Sequence, residues 1–248
     1  MGVPCAFLDF PGPLAFAHRG GAAHGPENSW PAFEHAVGLG YTFLETDARA
    51  TEDGVLVAFH DKTLDRLTGR PGEIARMAHR EIAAARIDGT EPIPLLEDLL
   101  AAWPQVRFNV DVKEASAVRP LAEVLRRTAA WDRVCICSFS ARRLRAARQA
   151  LGPEVCTAAS PAGIAAVRLG SRVGSPAQCA QVPAAVARAP FVRRAHGLGL
   201  QVHVWTVNDR ALMESMLDRG VDGIITDQTV ALREVLTARG QWHPRPLT

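Results

Sequence analysis

Eight short apolar runs alternate with stretches of helical spacing along this chain, and that alternation limits its possible folds more than any other feature. The runs lie at 14–17, 43–47, 106–113, 134–139, 155–158, 179–182, 202–207 and 223–226. The helical stretches lie at 30–37, 95–102, 116–128, 140–151, 164–169, 191–197, 210–219 and 230–238. Ser29 and Ser140 stand where N-caps are needed, and Pro31 falls in a first helical turn. Eight strand–helix units in 248 residues, with no linker between them, predict one α/β domain over 1–248, a TIM-type (β/α)8 barrel. The rival, an open doubly wound sheet, is disfavoured because neither GxGxxG nor GxxxxGK[ST] follows any strand. Residues 61–94 interrupt the alternation. They are rich in Arg, Gly and Pro, hold one expected helix near 74–86, and read as a small insertion at the top of the barrel.

The second strand carries the densest chemistry. Glu45 and Asp47 are two apart in an apolar run, so a strand puts both carboxylates on one side. Asp53-Gly54 then separates two β-rich runs, a hairpin signal. With Asp53 and Gly54 as a two-residue turn, Glu52 pairs with Val55, and counting back sets Asp47 opposite His60.

In a (β/α)8 barrel the chemistry sits at the C-terminal ends of the strands. Strand one ends in His18 and Arg19, strand two in Glu45 and Asp47, and strand three in Asp111 and Lys113. Trp205 and Thr206 end the seventh, and Thr226 and Asp227 the eighth. Burying several charges together is costly without a metal or a substrate. Glu45, Asp47 and Asp111 are hard oxygen donors, which suit Mg²⁺ or Ca²⁺ better than zinc or copper. Arg19 and Lys113 add positive charge to such a site and point to an anionic substrate, with phosphate the natural choice; the plainer reading is that they neutralise the acids. Trp205 reads equally as a pocket wall or a barrel cap, and His203 as core.

Other classes of function are disfavoured. The formal charge is +2, and the arginines at 142, 143, 145 and 148 are spread along a helix as a solvated face, not a nucleic-acid footprint. The five cysteines form no CxxC pair and no Cys/His zinc spacing, and Cys135 and Cys137 read as small core residues in a reducing compartment. No apolar run approaches the roughly 18 residues of a membrane span, and the first residues lack the basic and apolar regions of a secretory signal. The expected setting is cytoplasmic, with a small-molecule partner.

The motifs together resemble the glycerophosphodiester phosphodiesterase family. The matching text is AHRGG at 17–21, PENS at 26–29, ETDARATEDG at 45–54, FHD at 59–61, IPLLEDLL at 93–100, NVDVK at 109–113, CSFS at 137–140, WTVND at 205–209 and GVDGIITD at 220–227. The resemblance implies a TIM-type barrel that hydrolyses a glycerophosphodiester to glycerol 3-phosphate and an alcohol. It implies His18 and His60 as the acid/base pair and Glu45 and Asp47 as metal ligands, with an acid on the next strand. It implies Arg19 and Lys113 as phosphate contacts, and Glu27 and Asn28 as lining residues. Position 111 is Asp where the family commonly has Glu, one methylene shorter, so a metal there shifts or takes a water. A relative acting on lysophospholipid or sphingolipid head groups would share these residues. A Schiff-base barrel built on Lys113 is opposed by Asp111 and Glu114, which keep the amine charged. A third reading is a barrel that binds a phosphate ester without turning it over.

Overall fold

A computed structural model of the chain describes residues 5–171 and 177–244. Its centre is a barrel of eight parallel strands: β1 (Leu14–Ala17), β2 (Phe43–Ala50), β3 (Arg107–Val112), β4 (Val134–Cys137), β5 (Cys156–Thr157), β6 (Cys179–Pro183), β7 (Gln201–Trp205) and β8 (Gly223–Thr226). They run in the order β5-β4-β3-β2-β1-β8-β7-β6. The ends of that order meet through one bridge, Ala158 to Cys179. Two backbone bonds flank it: Ala159 N–H to the Cys179 carbonyl at 2.8 Å and Gln178 N–H to the Thr157 carbonyl at 3.0 Å. Among the described residues the β5–β6 seam therefore has the fewest paired positions of the barrel.

Eight helices cover the outside: α1 (Trp30–Gly38), α2 (Leu96–Ala102), α3 (Val118–Arg127), α4 (Ala141–Leu151), α5 (Pro161–Arg168), α6 (Ala189–Gly197), α7 (Arg210–Asp218) and α8 (Thr229–Ala238). Local chemistry starts several of them. Ser29, Ser140, Ser160 and Asp209 each accept a first-turn N–H, and proline occupies the first turn of α1, α5 and α6. In α3 the buried Val118, Leu121, Ala122 and Leu125 make one stripe facing the barrel, while Arg119 and Arg126 stay in water.

The strand period of two divides the apolar residues into two layers. Ala15, Ala17, Leu44, Val110 and Ile136 pack outward under the helices. Leu14, Phe16, Phe43, Cys135, Cys156, Cys179 and Ile225 fill the barrel interior, where Phe7 of the N-terminal segment joins them. His203 is fully buried beside Phe16, as a core histidine.

The hairpin departs from expectation by one residue. The return arm, Leu56–Ala58, pairs Ala48 with Ala58 and Ala50 with Leu56, so Asp47 faces Phe59 and not His60. Thr51 N–H donates to the Val55 carbonyl and Gly54 N–H to the Thr51 carbonyl. The loop thus holds three residues, Glu52 to Gly54, with Gly54 left-handed at φ +82°. A type I turn followed by a left-handed glycine absorbs one more residue than the two-residue turn expected from Asp-Gly.

Residues 61–94 form a small unit on the same end of the barrel. The expected helix over 74–86 is absent. A 3₁₀ turn at Ile74–Arg76, a single helical turn at His79–Ile82 and a two-residue strand at Arg86–Ile87 replace it. Ile74, Ile82, Ala85 and Ile87 share a separate core with Val57, Phe59 and Leu64. That core needs its apolar residues to converge on one point, and a continuous helix would not bring them there. Among the described residues no helix is long and apolar enough to cross a membrane.

Candidate active site

The charged residues gather where β1, β2, β3 and β8 end. After Ala17 the chain turns sharply, with Arg19 at φ +49° and Gly20 at +87°. A Cβ on Gly20 would sit 2.9 Å from the Ala32 Cβ and the Phe33 nitrogen, so only glycine fits. The turn aims the Arg19 backbone N–H at Glu45 Oε2, 3.0 Å away. It also sets His18 between two acids, with Nδ1 2.7 Å from Asp227 Oδ1 and Nε2 3.8 Å from Glu45 Oε2.

His60 follows the hairpin arm and is oriented in the same way. Its Nδ1 lies 2.7 Å from Asp61 Oδ1, and its carbonyl accepts two bonds from the Arg49 guanidinium at 2.8 and 3.0 Å. Arg66, from the small unit, grips Asp61 and Glu27 together. Its hydrogen bond holds the Asp61 carboxyl down to about 2. Each imidazole therefore has a carboxylate at Nδ1, and neither Nε2 is hydrogen-bonded among the described residues, that of His18 lying 3.8 Å from Glu45.

Asp47 and Asp111 are register partners on adjacent strands. The Lys113 ammonium lies between them, 2.7 Å from Asp47 Oδ1 and 2.6 Å from Asp111 Oδ2. Asn28, left-handed at φ +55°, donates to Asp47 Oδ2 at 2.9 Å and accepts from the Thr46 hydroxyl at 2.8 Å. The Arg19 guanidinium bonds Glu27 at 2.9 Å, and its Nε lies 3.4 Å from Asp47. That Nε–H is buried and makes no hydrogen bond.

The electrostatics are uneven. Burial alone would raise the Asp47 carboxyl, but Lys113 and Arg19 outweigh it and hold it below the usual range. Burial raises Asp111 in spite of Lys113. Glu45 is pushed up to about 7, first by burial and then by the Asp47 charge. Burial alone would lower the His18 imidazole, yet the Glu45 charge and the Asp227 hydrogen bond raise it.

The donor chemistry fits a hard cation. Glu45, Asp47 and Asp111 offer only oxygens, and the uncompensated charge on buried Glu45 is what a cation would relieve. Two features oppose a ready-made cage. Lys113 already bridges Asp47 and Asp111, and among the described residues the three acids do not bring one oxygen each within 4.8 Å of one another.

The linkage of Glu45 is testable. An acid whose folded pKa exceeds its unfolded value costs stability as pH rises from the unfolded value of 4.5 through the folded value of about 7. Glu45→Gln should match the parent near pH 4 and exceed it near pH 8, by up to roughly 3 kcal/mol. Denaturant titrations at both pH values, free of divalent ions, measure this. Equal stability near pH 8 would show that neighbouring groups already compensate the Glu45 charge.

All three proposed metal ligands, both histidines, Arg19, Lys113, Glu27 and Asn28 thus lie in one linked network. Trp205 stands apart from it, half-buried and edge-on to the exposed Phe139 at 5.6 Å. Sequence reasoning gave no role to several participants, among them Asp227, Asp61, Asn208 and Arg66. Asp227 had a signal, since it follows the last strand as the other acids follow theirs. Asp61 had one too, as the neighbour of His60. Asn208, which donates to Asp227 at 2.8 Å, and Arg66 had none.

A sequence model of the glycerophosphoryl diester phosphodiesterase family matches residues 18–231. The probable glycerophosphodiester phosphodiesterase 2 of Mycobacterium tuberculosis is 41% identical over 251 residues, covering 95% of each chain. The crystal structure of a putative glycerophosphoryl diester phosphodiesterase from Silicibacter pomeroyi superposes with a TM-score of 0.84 at 24% identity, covering 97% of this chain and 100% of that one. A phosphodiesterase from Oleispira antarctica, solved with its product sn-glycerol-3-phosphate, gives a TM-score of 0.80 at 22% identity, covering 91% of this chain and 97% of that one. With its barrel, its oriented histidines and these matches in view, the chain belongs to the glycerophosphoryl diester phosphodiesterase family.

Proposed function

We propose that this chain is a divalent-cation-dependent hydrolase that converts glycerophosphodiesters to glycerol 3-phosphate and an alcohol, with His18 and His60 as its acid/base pair. One observation carries the reading: each imidazole is held at Nδ1 by its own carboxylate, Asp227 or Asp61. A neutral imidazole donating its Nδ1 proton presents a basic Nε2, and the protonated form presents an Nε2 donor. One histidine would take the proton of the nucleophile while the other delivers a proton to the departing alkoxide. The Arg19 guanidinium, whose Nε–H makes no hydrogen bond, and the Lys113 ammonium would supply positive charge to a phosphoryl oxygen. Asn28 and Glu27 hold Asp47 and Arg19 in place. Glu45, Asp47 and Asp111 would hold Mg²⁺ or Ca²⁺, which when bound supplies Lewis-acid polarisation of a phosphoryl oxygen.

The test uses metal-stripped protein with glycerophosphocholine and with glycerophosphoethanolamine. Ca²⁺, Mg²⁺ or Mn²⁺ is added back in turn and glycerol 3-phosphate is measured. Turnover should vanish on stripping and return with a divalent ion. Full turnover in excess chelator would remove the cation from the proposal. No glycerol 3-phosphate under any ion would remove the substrate.

A second reading rests on an apolar cavity beside Trp205, apart from the charged network. A cavity of about 280 Å³ lies beside Phe139, Pro161, Ile164, Val182, Pro183 and Trp205. Phe139 is 65% exposed there. An apolar wall suits a lysophospholipid or a sphingolipid phosphodiester. Release of the head group from a lysolipid, with none from glycerophosphocholine, would favour this reading.

A further inference from the structure

Three of the five cysteines converge inside the barrel, at the end away from the catalytic residues. Cys135 of β4, Cys156 of β5 and Cys179 of β6 are all buried, and their sulfurs lie within 4.8 Å of one another. Cys135 and Cys179 are 3.9 Å apart. Cys5, from the N-terminal segment, is half-buried and packs against the same cluster, with its sulfur outside the group of three. His203, on β7, is fully buried and has its ring nitrogens beside Gln181 and Gln201. None of these groups takes part in the phosphodiester chemistry.

We infer that these thiols form a site for a soft metal ion of the Zn²⁺ type, ligated by Cys135, Cys156 and Cys179 with Cys5 as the fourth arm. An ion with metal–sulfur bonds of about 2.3 Å holds its sulfurs about 3.8–4.0 Å apart, so the Cys135–Cys179 spacing already matches. Thiolates select soft ions, whereas the carboxylates at the other end of the barrel select hard ones. Barrel interiors are ordinarily filled by branched aliphatic side chains, and here three successive strands each contribute a thiol to one point. The thiol protons leave to solvent as the ion enters. Arg148 donates to the Thr157 hydroxyl and the Ala158 carbonyl, next along the chain from Cys156, and Arg107 donates to the Phe7 and Asp9 carbonyls of the N-terminal segment.

The location gives the site a structural purpose. Cys156 and Cys179 stand on opposite sides of the β5–β6 seam, which among the described residues is joined by the single Ala158–Cys179 bridge. An ion shared by β4, β5 and β6 would clamp that seam, and Cys5 would tie the N-terminal plug to it.

The test uses the full chain, reduced and metal-free, titrated with Co²⁺ and then Zn²⁺. One Co²⁺ per chain should give thiolate charge-transfer absorption, which carboxylate ligation cannot produce, and Zn²⁺ should displace it. Cys135→Ser, Cys156→Ser and Cys179→Ser should each weaken binding by at least about 100-fold, beyond the roughly 10–100-fold of an outer-shell change. Cys137→Ser should retain the absorption. Zn²⁺ should raise the thermal midpoint of the parent by several degrees and leave that of Cys156→Ser unmoved. X-ray absorption of the Zn²⁺-loaded parent needs no variant. A sulfur shell at about 2.3 Å supports the site, and a shell of oxygen and nitrogen alone overturns it. Absence of charge-transfer absorption in the fully reduced parent overturns it equally.

Discussion

Replacing either His18 or His60 by alanine should lower turnover of glycerophosphocholine by about 10²-fold to 10⁴-fold, the range for a positioned acid or base. The two losses should differ in character. A leaving group of low pKa, such as a nitrophenolate, departs without a proton. The variant lacking the acid should therefore recover most of its rate on a glycerophospho-nitrophenyl ester, and the variant lacking the base should not. That contrast assigns the two roles by experiment. His79, in the small unit, serves as the control, and His79→Ala should keep the parent rate. Asp61→Asn and Asp227→Asn should each lose less than the histidine they orient, because an amide can still bond Nδ1 but does not stabilise an imidazolium. If His18→Ala and His60→Ala both kept near-parental rates, the acid/base proposal would be finished. If both lost equally on every ester, the histidines would be binding the phosphoryl group and not moving protons.

The barrel was legible because two periodicities alternate without interruption outside residues 61–94. A strand period of two also places Asp111 and Lys113 on one side, where Lys113 bridges Asp111 and Asp47. Register was less legible. The slip that sets Asp47 against Phe59 comes from the left-handed Gly54, and an Asp-Gly pair is compatible with either loop length. The small unit defeated the helix expected over 74–86 because its apolar residues serve a separate core whose direction no local pattern encodes. Arg66 lies in that unit and reaches Glu27 across 39 positions. The thiol cluster was invisible for a related reason. Metal sites are read from ligands close together in sequence, whereas a barrel assembles them from three strands separated by helices.

The second large effect concerns Lys113, where stability and catalysis meet. Lys113→Met removes the cation between Asp47 and Asp111, which are 1% and 5% exposed. Breaking a buried pair by deleting one partner costs about 3–5 kcal/mol, since the remaining charges are left uncompensated. For a chain of this size that corresponds to a fall in thermal midpoint of roughly 6–20 °C. The sign with pH follows from the carboxyls. In the parent, Lys113 and Arg19 depress Asp47, so its contribution is present above the unfolded carboxyl pKa and is lost as pH falls through the lower folded value. In the variant the Lys113 part of that pairing is gone and only Arg19 remains beside Asp47, so both carboxyls move up, and the deficit should be largest at neutral and alkaline pH and shrink as they protonate. Lys113→Met combined with Asp111→Asn should recover part of the loss, giving a coupling energy that neither single change predicts. The same ammonium competes with any divalent ion for Asp47 and Asp111. The single variant should therefore bind Ca²⁺ or Mg²⁺ more tightly than the parent while turning over about 10²-fold to 10³-fold more slowly, as expected when a charged donor to the phosphoryl group is lost. Tighter ion binding with unchanged turnover would confine Lys113 to neutralising its neighbours. Weaker ion binding would mean that Lys113 organises the acids for the ion instead of excluding it.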